Sequence, residues 1–234
     1  MKDRNPSLIL YIVAAVLAMV AKVFDDELLM LITKPMVVPA IFYYYLQAKT
    51  RNLNLAFSLA LGLFFTADMI TLLFGPGGIL LVMACGMGSY LIMTYFAVTD
   101  MMVPKLTPFN GLAMLALLGS MGYWLYSILS LGIEAVNAHY SFYLSYGIVL
   151  ALLVGISFFG ILARTTAVSV NLSLMALFML VSDLFYSIHK FAMPMPLLDH
   201  LNLVAQFASY FFMVRYFVAR RPAEKETFRQ WKQN

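Results

Sequence analysis

The chain has 234 residues, of which 63% are hydrophobic and 11% are charged, and its mean hydropathy is +0.87. A soluble domain cannot cover so much apolar surface with so few polar side chains, so the composition predicts an all-α protein that has lipid around most of its surface. The single cysteine excludes a disulfide framework and a thiolate metal cluster, and the net charge of +4 lies mostly in a short basic tail, which favours anionic lipid headgroups over nucleic acid.

Apolar runs long enough to cross about 30 Å of hydrocarbon follow one another along the chain. They predict eight transmembrane helices, near residues 7-24, 29-47, 53-74, 78-98, 108-131, 139-163, 167-190 and 197-219. Charged and Gly/Pro-rich breaks separate the runs, but no flexible linker does. Residues 1-219 are therefore predicted to form a single transmembrane domain, followed by a basic cytoplasmic tail over 220-234.

With this span count, most of the basic residues fall on one side of the membrane. Of the fifteen lysines and arginines, only Lys22, Lys34 and Lys190 lie toward one side, and the other twelve lie on the side of both termini. The positive-inside rule then places the N and C termini in the cytoplasm. The chain is predicted to be a multi-pass integral membrane protein, in the plasma (inner) membrane if it is bacterial.

Three ionisable residues are predicted at one depth in the outer half of the bundle. Asp68 lies in the third span and Asp183 in the seventh, about 9 Å and 10 Å below their outer ends, and Lys34 lies about 8 Å below the outer end of the second. A charge inside a span costs several kcal/mol, so it normally faces the bundle interior and marks a site. The alternatives are a structural, hydrogen-bonded acid and a lysine that extends to the interface.

Polar residues continue this site along two helical faces. The seventh span presents Asp183, Tyr186, Ser187 and Lys190, and the eighth presents Asp199, Asn202, Gln206 and Ser209 or Tyr210. Both stripes predict an outer pocket in which Tyr186, Asn202 and Gln206 are candidate substrate-binding donors. The histidines have no clustered spacing, so no metal site is predicted.

A weak internal repeat accompanies the two acids. The segments Leu63-Phe64-Phe65-Thr66-Ala67-Asp68 and Phe178-Met179-Leu180-Val181-Ser182-Asp183 both fall in the third span of a four-span half. A four-plus-four duplication would place the two aspartates in related positions across the bundle.

Several short segments together carry a family resemblance over nearly the whole chain. They are Thr33-Lys34-Pro35, the Leu63 to Asp68 segment, Ala176-Leu177-Phe178-Met179-Leu180-Val181-Ser182-Asp183, Lys190-Phe191 and Ala205-Gln206. With them the chain resembles the YhhN or lysoplasmalogenase family of eight-span membrane proteins. It departs from the family at Ala67, where a glycine is usual, and at Thr94, where a histidine usually precedes the tyrosine. The Thr94 difference indicates altered substrates or chemistry.

The resemblance implies an ether hydrolase. Its substrate would be a lysoplasmalogen from the bilayer, whose vinyl ether bond is cleaved to a fatty aldehyde and a glycerophospho-alcohol without a cofactor. Asp68 and Asp183 would divide the acid role and the stabilising or water-activating role. Lys34 would either fix the headgroup phosphate or keep one aspartate ionised.

Two other functions stay open at the level of sequence. Paired membrane acids and a repeat are equally natural in a proton-coupled small-solute transporter, and a catalytically silent lipid-binding protein is the third alternative. Transport requires polar access from both sides. In the inner half of the third span only Asn54 and Ser58 are polar, and the seventh span has Asn171 and Ser173 there, so the pattern favours a one-sided pocket.

Overall fold

The computed structural model describes residues 6–48, 53–100, 107–131 and 137–220. Within these ranges the chain is all-α and contains eight helices long and apolar enough to span a membrane, which confirms the predicted fold class and span count. They are α1 (Pro6–Val23), α2 (Glu27–Ala48), α3 (Leu55–Phe74), α4 (Ile79–Thr99), α5 (Pro108–Leu129), α6 (Tyr140–Ala163), α7 (Ala167–Ser187) and α8 (Pro196–Ala219). A 3-10 turn (Gly75–Gly78) joins α3 to α4, and a π-turn (Ile188–Ala192) follows α7.

Part of the charge pattern lies outside the described ranges. This applies to the tail from residue 221 onward and to five other basic residues, Lys2, Arg4, Lys49, Arg51 and Lys105. The cytoplasmic placement of the termini stays a prediction.

Short polar side chains set the beginnings of four helices. Asp26, Asn54, Thr107 and Thr166 each accept a hydrogen bond from the backbone N–H three residues later, at 2.9, 3.1, 3.3 and 3.1 Å. Such caps satisfy donors that a helix leaves unpaired in its first turn. At the other end of α3, Gly75 adopts a φ of +53°, a conformation that favours glycine, and the chain turns directly into α4.

Contacts between helix ends define the two ends of the bundle. Ser7 at the start of α1 donates to Gln47 at the end of α2, at 2.6 Å, whereas Lys22 at the end of α1 pairs with Asp199 at the start of α8. We call the end that holds Lys22 and Asp199 the turn end, because the turns 24–26, 75–78 and 188–195 lie there. The opposite end, where α1 begins and α8 finishes, is the terminal end.

The helices differ in how deeply they are packed. α8 contacts α1, α2 and α7, and half of an 18-residue stretch of α8 is buried. The corresponding stretch of α5 is only 11% buried, and α5 packs mainly on α6. α8 is therefore a central helix of the bundle, whereas α5 is a peripheral helix with most of its residues exposed or only partly buried.

Candidate active site

A cavity of about 530 Å³ occupies the turn-end half of the bundle. All eight helices contribute to its wall, each with residues from the half nearer the turn end or from its middle. Leu117, Met121, Leu125 and Ile128 of α5 form an apolar side of this wall. The volume falls in the range of ligand pockets, which combine a mostly apolar lining with a few placed polar groups.

Asp68 of α3 lies at this cavity with three partners. Its Oδ1 accepts a hydrogen bond from Gln206 Nε2 at 2.9 Å and lies 3.3 Å from the Lys34 ammonium, and its Oδ2 accepts from the Tyr210 hydroxyl at 2.8 Å. The side chains of Asp68 and Lys34 are only 2% and 11% exposed. An ion pair with two further donors compensates the removal of a carboxylate from water, so these contacts suit the charged form of Asp68.

Asp183 of α7 lies at the same cavity in a different environment. The hydroxyls of Tyr90 and Tyr146 both donate to its Oδ2, each at 2.7 Å. No basic side chain in the described ranges forms an ion pair with it, and its Oδ1 accepts no hydrogen bond there. A carboxyl group with neutral donors on one oxygen is suited to carry a proton on the other.

A glycine allows this second arrangement. A Cβ added at Gly86 of α4 would lie 3.3 Å from Cε2 and 3.4 Å from the hydroxyl of Tyr146. The absence of a side chain at residue 86 therefore leaves room for the ring of Tyr146 to reach across from α6 toward Asp183.

A row of four aromatic rings connects the two aspartates. Tyr210, which binds Asp68, packs on Phe64 at 5.5 Å between centroids; Phe64 packs on Tyr90 at 5.8 Å, and Tyr90 on Tyr146 at 5.5 Å. Of these rings, only Tyr146 belongs to the cavity wall. The other three rings lie behind the wall, toward the terminal end, and we call the row of four the cavity floor.

Beyond this floor the core is filled with packed rings. Phe57 contacts Tyr45 and Phe217 at centroid distances of 4.4 and 4.1 Å, and Phe217 contacts Phe96 at 4.8 Å. All four side chains are buried. The described residues thus place an apolar plug between the two carboxylates and the terminal end.

The cavity mouth is polar. Lys22 and Asp199 form an ion pair there at 2.5 Å, with side chains 33% and 28% exposed. The π-turn adds His189 and Lys190 to the wall.

The structure brings all the sequence-predicted site residues to this one cavity, namely Lys34, Asp68, Asp183, Tyr186, Asn202 and Gln206. Lys34 contacts Asp68, which favours the second of its two predicted roles, that of an ion-pair partner for an aspartate. Asn202 Oδ1 accepts a hydrogen bond from Ser182 at 2.6 Å, which joins α7 to α8 beside the acids.

Sequence reasoning missed two direct partners of Asp183 and did not assign Tyr210 to Asp68. Tyr90, Tyr146 and Tyr210 lie well inside spans rather than in the interfacial belts where tyrosine is common. A buried tyrosine hydroxyl usually finds a hydrogen-bond partner, but the sequence does not show which residue that partner is. Thr94, by contrast, donates to the backbone carbonyl of Tyr90 in its own helix, at 2.7 Å.

These observations define the class of the molecule as a multi-pass α-helical membrane protein with two carboxyl groups from within its spans, Asp68 and Asp183, in a cavity at one end of the bundle. Comparison with known proteins found no matching family model, curated protein or solved structure. Among the described residues, no three His, Cys, Asp or Glu side chains are grouped as a metal site would require.

Proposed function

We propose that this protein is a membrane-embedded hydrolase of the vinyl ether bond of lysoplasmalogens, similar to the YhhN or lysoplasmalogenase family. One observation carries the proposal: Asp68 and Asp183 share a cavity, but among the described residues only Asp68 has a cation beside it. Two carboxyl groups in contrasting environments are the usual basis for one acid and one base or electrostatic stabiliser at a single pH.

The reaction needs those two roles. A proton is added to the alkene carbon that is not bonded to oxygen, which leaves an oxocarbenium ion. Water adds to the cationic carbon and loses a proton, and the resulting hemiacetal collapses to a fatty aldehyde and the free hydroxyl of the glycerophospho-alcohol. One water is consumed, and the proton that the acid supplies is balanced by the proton that the attacking water loses to the second carboxylate.

The contacts support one division of the two roles. Asp183 is the proposed acid, because both of its tyrosine donors bind Oδ2 and leave Oδ1 to carry the proton. Asp68 is the proposed anion, which stabilises the oxocarbenium ion and receives the proton of the attacking water. Lys34 keeps Asp68 ionised and is a positioning residue.

The shape of the cavity suits a single-chain lipid. The apolar side contributed by α5 would accommodate the hydrocarbon chain, and the polar mouth would face the headgroup. Because α5 is peripheral and packs mainly on α6, a lysolipid would enter from the bilayer along its free edge.

We also propose that both termini are cytoplasmic, so that the cavity opens toward the other face of the membrane. The segregation of the basic residues supports this orientation. In a bacterium the membrane would be the plasma (inner) membrane.

The proposed four-plus-four repeat gains support from the partners of the two acids. Asp68 on α3 is contacted from α2 and α8, and Asp183 on α7 is contacted from α6 and α4. These are the helices that correspond when α1–α4 is superposed in order on α5–α8.

Transport is the weaker proposal. A proton-coupled carrier needs polar access to the acids from both sides, whereas the rings beyond the cavity floor fill the route to the terminal end in the described part of the chain.

The test is aldehyde release from a lysoplasmalogen by purified protein in detergent. Asp68→Asn and Asp183→Asn are each expected to lower kcat by at least about 100-fold at equal folded amount, as for loss of a general acid or base. Asp100→Asn is the matched control, since Asp100 pairs with Arg220 at the terminal end. Absence of wild-type activity across headgroups would refute the hydrolase, and activity that survives both substitutions would refute the site.

A further inference from the structure

We propose that the cavity mouth contains a phosphate-binding site built on Lys190, which takes the phosphodiester of a lysolipid headgroup. The proposal rests on the proposed function and deepens it, because it states how the polar end of the substrate is held. The sequence left two alternative roles open for Lys34, which were binding the headgroup phosphate and pairing with an aspartate. The proposal gives the first of these roles to Lys190.

The first argument is charge pairing around the cavity. Three lysines and three aspartates line it, and two lysines have acidic partners: Lys34 with Asp68 at 3.3 Å and Lys22 with Asp199 at 2.5 Å. Lys190 has no carboxylate within 4.0 Å in the described ranges. The remaining carboxyl, Asp183, is bound by tyrosine hydroxyls. The mouth therefore presents one exposed ammonium group that is free to pair with an anionic ligand.

The second argument is the backbone that carries Lys190. The π-turn closes with a hydrogen bond from Met193 N to Ile188 O at 2.8 Å, and it brings three consecutive residues, His189, Lys190 and Phe191, to the cavity wall. Short π segments of this kind often occur at functional sites.

The turn is held on both sides of the lysine. His189 Nδ1 lies 2.8 Å from the carbonyl oxygen of Met195, and the ring of Phe191 packs on Tyr143 at 6.0 Å between centroids. Lys190 therefore projects from an anchored backbone, so less ordering is required when it binds an anion.

The distance from Lys190 to the proposed acid, Asp183, matches the length of the substrate headgroup. Lys190 follows Asp183 by seven residues along α7 and its π-turn, which is about 10 Å along the axis at helical rise. In an extended lysoplasmalogen the alkene carbon that is protonated lies roughly 9 Å from the phosphorus, from bond lengths near 1.5 Å. A lipid whose phosphate lies at Lys190 would thus bring its vinyl ether to the level of Asp183.

The experiment measures ligand binding by the fluorescence of Trp124, which lines the cavity. The other tryptophan of the chain, Trp231, is removed by Trp231→Phe so that the signal comes from the cavity alone. The probes are a lysophosphatidylethanolamine with a saturated 1-O-alkyl chain, the 1-O-alkylglycerol with the same chain, and glycerophosphoethanolamine without a chain. The protein is the full chain in a phosphate-free maltoside detergent.

Lys190→Gln is expected to raise the Kd for the phospholipid about fivefold, the effect of a partly exposed ion pair, and to leave the Kd for alkylglycerol unchanged. Lys190→Arg keeps the charge and should keep the affinity. Arg215→Gln is the control, because Arg215 is exposed on the terminal-end half of α8. An equal change for both lipids in Lys190→Gln, or no change for either, would overturn the proposal.

The remaining arms identify the source of the phosphate and keep the two proposals separate. Glycerophosphoethanolamine that binds as tightly as the lipid, with the same dependence on Lys190, would refute a lipid headgroup in favour of a soluble phosphate ester; much weaker binding supports the lipid. The saturated ether has no vinyl ether bond, so this result is independent of hydrolysis. Absence of aldehyde release, with binding that depends on Lys190 as expected, would refute the hydrolase proposal and leave the phosphate site standing.

Discussion

The two membrane aspartates should respond differently to the same substitution. Asp68→Asn removes the anion beside Lys34. It also replaces the carboxylate that accepts hydrogen bonds from Gln206 and Tyr210 with a neutral amide. Asp183→Asn is much milder, since an amide oxygen still accepts the two tyrosine hydroxyls and the amide nitrogen replaces the O–H of a protonated acid.

The difference in the free energy of unfolding is large enough to measure. Charges 3.3 Å apart attract by about 5 kcal/mol at an effective dielectric constant near 20, and breaking one partner of a buried pair typically costs about 3–5 kcal/mol. At about 2–4 °C per kcal/mol for a chain of this size, Asp68→Asn should lower Tm by about 6–20 °C. The change for Asp183→Asn should stay below about 4 °C, for a cost of about 1 kcal/mol or less.

The chain contains its own reporter for this measurement. Cys85 is the single cysteine and is partly buried on α4, so a thiol-reactive fluorogenic dye follows thermal unfolding in detergent. The double variant Asp68→Asn/Lys34→Gln removes both charges and should recover part of the lost Tm, as coupled partners do. Equal losses for the two aspartates, or strictly additive losses in the double variant, would refute the assigned charges.

Two further predictions concern the partners of Asp183. Tyr146→Phe deletes one of its two donors and should lower kcat by about five- to thirtyfold with little change in KM, the kinetic equivalent of about 1–2 kcal/mol. Gly86→Ala should lower kcat in the same direction by displacing the Tyr146 ring, whereas Gly88→Ala on the same helix should leave it unchanged, because an added Cβ there meets only the flexible end of Leu63 at 3.2 Å. Aldehyde-release kinetics check both, and an effect at Gly88 equal to that at Gly86 would contradict the second.

The sequence was sufficient for the fold because lipid imposes simple rules on a membrane span. An apolar run must be long enough to cross the bilayer and must end in groups that water or a cap can satisfy, so the predicted spans agree with the helices to within a few residues. The same rules located Asp68 and Asp183, since a carboxyl group within a span is costly and usually marks a functional site.

What the sequence left open depends on which side chains meet across the bundle. Helical spacing gives the face on which Gln206 and Tyr210 lie, but not the helix that they face. The pairing of Lys34 with Asp68 and of Tyr146 with Asp183 joins residues 34 and 37 positions apart, on separate helices. Aromatic residues are common in spans, so Tyr90 and Tyr146 carry little signal until packing shows their hydroxyls on one oxygen.

The proposed duplication explains how two equivalent acids acquire different roles. Around each aspartate the neighbouring half contributes a tyrosine, Tyr210 to Asp68 and Tyr90 to Asp183. The second helix of each half contributes the group that differs, which is the ammonium of Lys34 in one case and the phenol of Tyr146 in the other. A cation beside one carboxyl favours its ionised form, whereas a neutral donor leaves the other free to hold a proton.

Infrared difference spectroscopy tests that division directly, because a protonated carboxylic acid has a carbonyl band that a carboxylate lacks. The wild-type protein at mildly acidic pH should show one such band from the protected interior. Asp183→Asn should abolish it, and Asp68→Asn should retain it because Asp68 contributes no proton. Loss of the band in Asp68→Asn with retention in Asp183→Asn would reverse the two roles. It would also contradict an ion pair at the 3.3 Å contact between Lys34 and Asp68.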